Sequence, residues 1–207
     1  MINRILDYLD ELFENPKCEL NYSCDYELLI AIVLSAQTTD KMVNRVTSVL
    51  FQKYNSLLEL SVANILDIEN IIREIGTFRK KSIYIKSIAK KLVDDGYTYV
   101  PNNREYIESL PGVGRKTANV FLSNIYNEPA IAVDTHVSRV SKRLGLINET
   151  DDVLKIERKL EKKIPRDKWG KTHHQMVLFG RYKCKAVNPI CDGCKLIDIC
   201  KYKKKNR

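Results

Sequence analysis

The run Leu110–Lys116, with the sequence L-P-G-V-G-R-K, places two glycines in a tight turn between two segments of helical periodicity. Glycine permits a positive φ angle and lets the backbone approach a ligand closely. A helix predicted to begin at about Arg115 would present unpaired N–H groups and a positive dipole end, which together favour an anion. We therefore predict a hairpin that binds a DNA phosphate without base contacts, formed by Leu110, Gly112, Val113, Gly114 and Arg115. A plain interhelical turn is the alternative.

Two further side chains could carry covalent chemistry. Lys116 falls in the first turn of the helix after the hairpin, where the positive helix end destabilises an ammonium and favours an amine nucleophile that forms a Schiff base. A phosphate contact or a solvated side chain is the alternative. Asp134 follows the apolar run Ile131–Val133 and precedes a helix, so it is a favoured N-cap. A carboxylate there could also stabilise a developing cation, and the two roles can coexist.

Four cysteines near the C-terminus have the spacing C-x6-C-x2-C-x5-C: Cys184, Cys191, Cys194 and Cys200. In an intracellular protein this pattern indicates metal ligation rather than disulfides, and four thiolates can hold zinc or an iron–sulfur cluster. Only one pair has the short C-x2-C spacing, which favours a four-iron cluster. The interval Lys185–Ile190 between ligands is predicted to be a basic loop that faces phosphate. Cys18 and Cys24 are expected to be ordinary structural or free thiols.

Helical periodicity covers most of the chain, and alternation of period two is nowhere sustained, so we predict an all-α fold. The predicted helices cover 2–14, 26–35, 39–54, 62–67, 69–75, 79–94, 102–110, 115–126, 134–144, 151–163 and 169–182. The segment Tyr26–Ser35 is nearly all apolar, which indicates a helix buried on every side. The tail Lys203–Lys205 is expected to be frayed.

Composition and charge limit the classes of function that the chain can have. The chain has 207 residues, 44% hydrophobic and 29% charged, which is typical of a globular protein. No apolar run is long enough to span a membrane and no signal-peptide core is present, so we expect a cytoplasmic protein. The net charge is +9, and residues 151–207 carry 17 basic against 7 acidic side chains. Such basic patches attract nucleic acid, although a solvated lysine-rich surface is the alternative.

Together these motifs resemble the endonuclease III family, the iron–sulfur helix–hairpin–helix DNA glycosylases. The resemblance rests on L-P-G-V-G-R-K-T-A-N-V, on A-V-D-T-H-V-x-R-V, on the cysteine spacing, on L-S-A-Q-T-T-D at Leu34–Asp40, and on His173–His174 followed by G-R-Y-x-C. It spans nearly the whole chain. It implies two helical lobes with DNA in the cleft between them: a six-helix barrel over 18–128, and an iron–sulfur domain over 1–17 plus 129–207.

The same resemblance implies roles for residues. Lys116 matches the family's nucleophile, Asp134 its catalytic carboxylate, and Gln37 a residue that fills the gap left by a flipped base. The four C-terminal cysteines match the ligands of one [4Fe-4S] cluster. The implied activity is removal of oxidised pyrimidines from duplex DNA, with strand cleavage at the abasic site by β-elimination. The implied protein is a bacterial-type monomer that acts on the chromosome.

The chain departs from the family pattern at Thr77. The family usually has a large apolar residue directly after the glycine that is here Gly76, and that residue wedges into the duplex opposite the lesion. Threonine is smaller and polar, so we expect wedge function to be weakened or to pass to Phe78. The preference for the base opposite the lesion is therefore open.

Three other functions are compatible with parts of the pattern. An adenine-specific mismatch glycosylase would lack the lysine after the hairpin and carry a carboxylate in the early apolar helix, where this chain has only Glu27 at the start. A mismatch thymine or uracil glycosylase is the second alternative. A non-catalytic DNA-binding module is the third, and it would need neither Lys116 and Asp134 nor a cluster.

Overall fold

The computed structural model describes residues 1–202, and within that range it contains helices and no strand. The all-α prediction is confirmed. Eleven α-helices are present in this range: α1 Ile2–Leu12, α2 Asp25–Ser35, α3 Asp40–Lys53, α4 Leu57–Val62, α5 Ile65–Ile71, α6 Phe78–Asp94, α7 Arg104–Ser109, α8 Arg115–Ile125, α9 Thr135–Arg143, α10 Val153–Lys163 and α11 Trp169–Leu178. The tail Lys203–Lys205 lies outside the described residues. No helix within residues 1–202 is both long enough and apolar enough to cross a bilayer.

The chain divides into two compact units. The hairpin unit is Cys18–Tyr126, and the cysteine unit joins Met1–Lys17 to the residues from Asn127 onward.

The hairpin unit is built around α2. Every residue from Tyr26 to Leu34 is buried, as the apolar run predicts. Because α2 has no solvent face, helices on several sides must cover it, and α3, α6 and α8 all pack against it. The unit's core includes Leu50, Ile68, Ile88 and Phe121.

The short helices before α6 differ from the sequence prediction. Predicted helices over 62–67 and 69–75 are wrong: α4 ends at Val62 and α5 covers Ile65–Ile71. The reason lies in the caps. Ser56 Oγ accepts from the Glu59 N–H at 3.2 Å, and Asn64 Oδ1 accepts from the Leu66 N–H at 2.9 Å. Each side chain satisfies an N–H that the new helix leaves unpaired, so Ser56 and Asn64 fix where the two helices start.

The cysteine unit has its own core, which α1, α9, α10 and α11 share. Ile5, Leu9, Val137, Leu160 and Phe179 are all buried there. The predicted helix over 169–182 is wrong at its end: after Leu178 the chain forms a π-helix over Phe179–Lys183. The Cys184 N–H donates to the Phe179 carbonyl at 2.6 Å, which closes this wider turn.

Candidate active site

The hairpin is a tight turn at Leu110–Val113. The Val113 N–H donates to the Leu110 carbonyl at 3.1 Å, and Gly112 has φ +77°. Proline before a glycine of positive φ is the signature of a type II turn. Leu110 and Val113 are buried in the unit's core and hold the turn in place, whereas Gly112 and Gly114 are exposed.

The two glycines of the hairpin meet different surroundings. A Cβ on Gly112 would lie 2.4 Å from Cδ2 of Tyr84 and 2.9 Å from its Cγ, so the bare backbone packs against this ring. A Cβ on Gly114 would meet nothing within 4 Å. Gly112 is therefore required by packing and by its φ angle, whereas Gly114 leaves the approach to α8 open.

Lys116 and Arg115 lie at the start of α8, and both are exposed. Gly114 is the N-cap, so no side chain caps this helix, and no acidic residue lies in its first turn. The N–H groups of the first turn and the two cations thus face the same exposed end of the helix. This helix end is therefore positively charged, which favours the binding of an anionic phosphate backbone.

Asp134 is the N-cap of α9 in the cysteine unit, whereas Lys116 belongs to the hairpin unit. The Asp134 Oδ1 accepts from the Val137 N–H at 2.7 Å, and the Asp134 side chain is half-buried. The capping role is confirmed, and the carboxylate is held at the positive end of a helix. His136, one turn into α9, is half-buried, and burial lowers the pKa of its ring.

Gln37 and Thr77 lie close together in the hairpin unit. Both are exposed, and both have φ +57°, in the left-handed region that non-glycine residues rarely adopt. Gln37 follows the end of α2 and Thr77 is the N-cap of α6. A Cβ on Gly76 would lie 3.9 Å from the Gln37 carbonyl, so the two loops are adjacent.

The four C-terminal cysteines line one cavity in the cysteine unit. Its empty space is about 370 Å³, part of it open to solvent, and apolar side chains that include Phe179, Ile190 and Leu196 complete the wall. Burial raises the pKa of the Cys184 thiol. Among the described residues, no three of His, Cys, Asp or Glu are grouped so that they could hold one metal ion. Four thiols that line one cavity are donors of the kind that hold zinc or an iron–sulfur cluster.

Arg143, which sequence reasoning missed, organises the cavity's edge. It is 9% exposed, and its Nη1 donates to the Cys184 Sγ at 3.3 Å and to the Lys185 carbonyl at 2.7 Å. Its Nη2 donates to the Ala186 carbonyl at 3.1 Å. The guanidinium therefore fixes the start of the Lys185–Ile190 loop and leaves the Lys185 side chain exposed.

Helix α1 holds the other side of the cysteine segment. Arg4 forms two hydrogen bonds to the Asp198 carboxylate, at 2.6 and 2.8 Å, and Lys195 Nζ lies 2.6 Å from the Glu11 carboxylate. These contacts join residues nearly the whole chain length apart. Because Lys195 and Asp198 lie between Cys194 and Cys200, these contacts tie the segment between these two cysteines to the first helix.

Comparison with known proteins places this geometry in a family. Residues 30–166 match the HhH-GPD superfamily of base excision DNA repair proteins. The endonuclease III of Bacillus subtilis (strain 168) is 45% identical over 196 residues, which cover 95% of this chain and 90% of that protein.

Two solved structures agree with the whole fold. One is a trapped covalent intermediate of endonuclease III with DNA in an estranged-adenine complex, with TM-score 0.94, 45% identity, and coverage of 100% of this chain and 98% of that one. The other is a non-covalent endonuclease III–DNA complex, with TM-score 0.95, 46% identity, and coverage of 99% and 96%. The chain therefore belongs to the HhH-GPD superfamily of base excision DNA repair proteins and, within it, to the endonuclease III family.

Proposed function

We propose that this protein is a bifunctional DNA glycosylase and abasic-site lyase of base excision repair, which excises oxidised pyrimidines from duplex DNA and cleaves the strand by β-elimination. The observation that carries the proposal is the exposed lysine in the first turn of α8, directly after a glycine hairpin with an uncapped, acid-free helix end. The endonuclease III relatives, one of them trapped covalently on DNA, support it. We expect it to act as a monomer in a bacterial-type cytoplasm.

The hairpin binds a phosphate of the DNA backbone. The N–H groups at the start of α8 donate to the phosphate oxygens, and Arg115 adds positive charge. Gly114 allows the phosphate to come close because its Cα carries no side chain. Lys185, exposed on the loop that Arg143 holds, contacts a second phosphate.

Lys116 is the nucleophile. Its neutral amine attacks C1′ of the damaged nucleotide, and the bond from C1′ to the base breaks with its electron pair leaving on the base. The product becomes an imine between Nζ and C1′ once the sugar ring opens. The imine withdraws electrons from C2′ and makes its protons acidic. A general base then removes a C2′ proton, and the 3′ phosphate leaves from C3′. Water then hydrolyses the imine and releases Lys116.

Asp134 stabilises the positive charge that develops on the sugar as the base departs. Its carboxylate is held in one orientation by the Val137 N–H, so little reorganisation is needed when the charge appears. It also accepts a proton from the Lys116 ammonium and thereby helps to produce the neutral amine.

The damaged base is taken out of the stack before it reacts. Gln37 fills the gap that the base leaves, and Thr77 lies on the side of the opposite strand. Because Thr77 is small and polar, it fills less of the stack than a leucine would. We therefore expect weak discrimination among the bases opposite the lesion.

The four cysteines would hold a [4Fe-4S] cluster, which, when bound, supplies a rigid cross-link of the C-terminal segment. Their shared apolar cavity supports this assignment. With Cys184, Cys191, Cys194 and Cys200 all serving as ligands, the role is structural. Arg143 and α1 hold the loops between these ligands, so the unit positions Lys185.

The experiment is a panel of end-labelled duplexes that carry thymine glycol, uracil, adenine opposite 8-oxoguanine, or an abasic site. We expect base release and strand cleavage with thymine glycol, and cleavage at the abasic site. Excision of adenine or uracil alone would favour a mismatch glycosylase. Binding of every duplex without any reaction would favour a non-catalytic module and overturn the proposal.

A further inference from the structure

Lys81 is a buried cation of the hairpin unit, and it contacts both loops that carry the exposed residues of positive φ, Gln37 and Thr77. Lys81 is 4% exposed, and it lies in the first turn of α6. Its Nζ donates to the Leu34 carbonyl at 3.0 Å and to the Ala36 carbonyl at 2.6 Å, and lies 3.5 Å from the Thr38 Oγ1. All three acceptors belong to the end of α2 and the loop after it.

These acceptors need a donor. The last carbonyls of a helix have no intrahelical N–H partner, and α2 has no basic residue in its last turn. The chain after α2 also takes an irregular path: Ala36 has ψ 116° and Gln37 has φ +57°. The buried ammonium donates to the Leu34 and Ala36 carbonyls before Gln37 and lies 3.5 Å from the Thr38 hydroxyl after it, so it spans this bend and fixes its shape, because a buried charge requires partners. Burial lowers the pKa of Lys81, which reflects that requirement.

The same residue is joined to the second loop through its backbone. The Lys81 N–H donates to the Thr77 carbonyl at 3.1 Å and closes the first turn of α6. Thr77 is a β-branched residue in the left-handed region, a conformation that persists only where surrounding contacts impose it. One residue thus holds the Gln37 loop with its side chain and the Thr77 turn with its backbone.

We infer that Lys81 is a positioning residue that fixes Gln37 and Thr77 relative to each other, so that the two enter a DNA duplex as one rigid pair when a base is extruded. The inference rests on the proposed function, in which these two residues take the places of the displaced bases. Lys81 itself does not touch DNA, because its ammonium is buried against α2.

The variant that tests this is Lys81→Met, which keeps an unbranched side chain and removes the ammonium. Lys90→Met is the matched control: it removes the same charge from the same helix at an exposed position, where Nζ pairs with the Asp94 carboxylate at 2.9 Å. Each variant is assayed in single turnover on thymine glycol paired with adenine and on thymine glycol opposite an abasic analogue. In the second duplex no base lies opposite the lesion, so the lesion does not have to be separated from a partner base.

We expect Lys81→Met to lose about 10- to 100-fold in the excision rate on the paired lesion, since a small misplacement of positioning groups has effects of this order. On the unpaired lesion it stays within about threefold of wild type, as does Lys90→Met on both duplexes. A 2-aminopurine opposite the lesion should brighten on binding of wild type and much less with Lys81→Met. The Thr38 amide, which donates to the Ser35 carbonyl at 3.1 Å, should exchange faster in the variant.

If Lys81→Met does not fold at the assay temperature, Lys81→Gln replaces it: the glutamine amide nitrogen lies one bond nearer the backbone than Nζ, so the hydrogen bonds to the Leu34 and Ala36 carbonyls lengthen, and we expect a smaller loss of rate on the paired lesion. Equal rates for variant and wild type on the paired lesion would overturn the inference, and so would an equal loss on both duplexes. Failure of the proposed function looks different, because wild type itself would then release no base from either duplex.

Discussion

The hairpin offers two glycines whose substitution by alanine should separate stability from DNA binding. Gly112→Ala places a methyl group 2.4 Å from Cδ2 and 2.9 Å from Cγ of Tyr84. The ring cannot swing away easily, since its Cγ lies next to its own backbone. In addition, Gly112 has φ +77°, which costs an L-residue about 1–2 kcal/mol. Gly114→Ala adds the same methyl where nothing lies within 4 Å and where φ is −111°.

The magnitude follows from two contributions. The backbone conformation costs about 1–2 kcal/mol, and forcing a methyl into a filled contact costs about 1–3 kcal/mol. Gly112→Ala should therefore lower the free energy of unfolding by about 2–5 kcal/mol, measured by urea denaturation. Gly114→Ala should lower it by no more than about 1 kcal/mol, because alanine is a poorer N-cap than glycine. In a Tyr84→Ala background the clash is gone, so Gly112→Ala should then cost only the backbone contribution.

For DNA affinity we expect the opposite order, with a larger loss for Gly114→Ala than for Gly112→Ala. The methyl of Gly114→Ala occupies the space through which a phosphate reaches the start of α8, so fluorescence anisotropy with an uncleavable abasic-site duplex should show several-fold weaker binding. Unfolding of Gly112→Ala at the wild-type urea midpoint would refute the packing argument. Wild-type affinity in Gly114→Ala would refute the assignment of this helix end to phosphate.

Three further substitutions test individual assignments. Asp134→Asn keeps the capping oxygen and removes the charge, so the single-turnover excision rate should fall by about 10² to 10⁴ with little loss of stability. The control is Asp152→Asn, which alters the equivalent cap of α10 and should leave the rate unchanged. If both variants change the rate equally, Asp134 is only a helix cap. Cys191→Ser should lower the iron and sulfide content of purified protein and the temperature at which it unfolds, whereas Cys24→Ser should not; stoichiometric zinc without sulfide would contradict the cluster. Thr77→Leu should change turnover in a manner that depends on the base opposite the lesion, and identical behaviour with all four bases would place Thr77 away from the wedge.

Local signals in the sequence predicted most of the architecture. The apolar segment Tyr26–Ser35 predicts a helix without a solvent face, and α2 is such a helix because its neighbours cover every side. The glycine hairpin and the Asp134 cap are also local, since each is set by residues within one turn. Family membership, predicted from motif spacing, is confirmed by the comparisons.

The errors arose where capping or tertiary contact outweighs periodicity. Periodicity alone continued a helix through Asn64, although its side chain begins α5. The π-helix after Leu178 depends on a contact outside the segment: a Cβ on Gly180 would lie 2.8 Å from the His136 Cβ, and Arg139 donates to the Gly180 carbonyl at 2.7 Å. Neither interaction can be seen in the sequence of α11.

Two positioning residues were missed for the same reason. Lys81 stands in register with Ile85, Ile88 and Leu92 on the buried face of α6, so a cation at an apolar position was a readable signal. Its acceptors, however, lie more than 40 residues earlier in the chain. Arg143 likewise meets its carbonyl partners about 40 residues later. Contacts of this range require the fold.

In the proposed mechanism the amine of Lys116 forms the covalent bond to DNA. Borohydride reduces an imine to a stable amine, so incubation of the protein with an abasic-site duplex and borohydride should yield one protein–DNA adduct. Peptide mapping should place the link on Lys116, and Lys116→Gln should give no adduct and no strand cleavage while it still binds the duplex through the hairpin N–H groups. An adduct on another amine, such as the α-amine of Met1, or undiminished trapping by Lys116→Gln, would exclude Lys116 as the nucleophile.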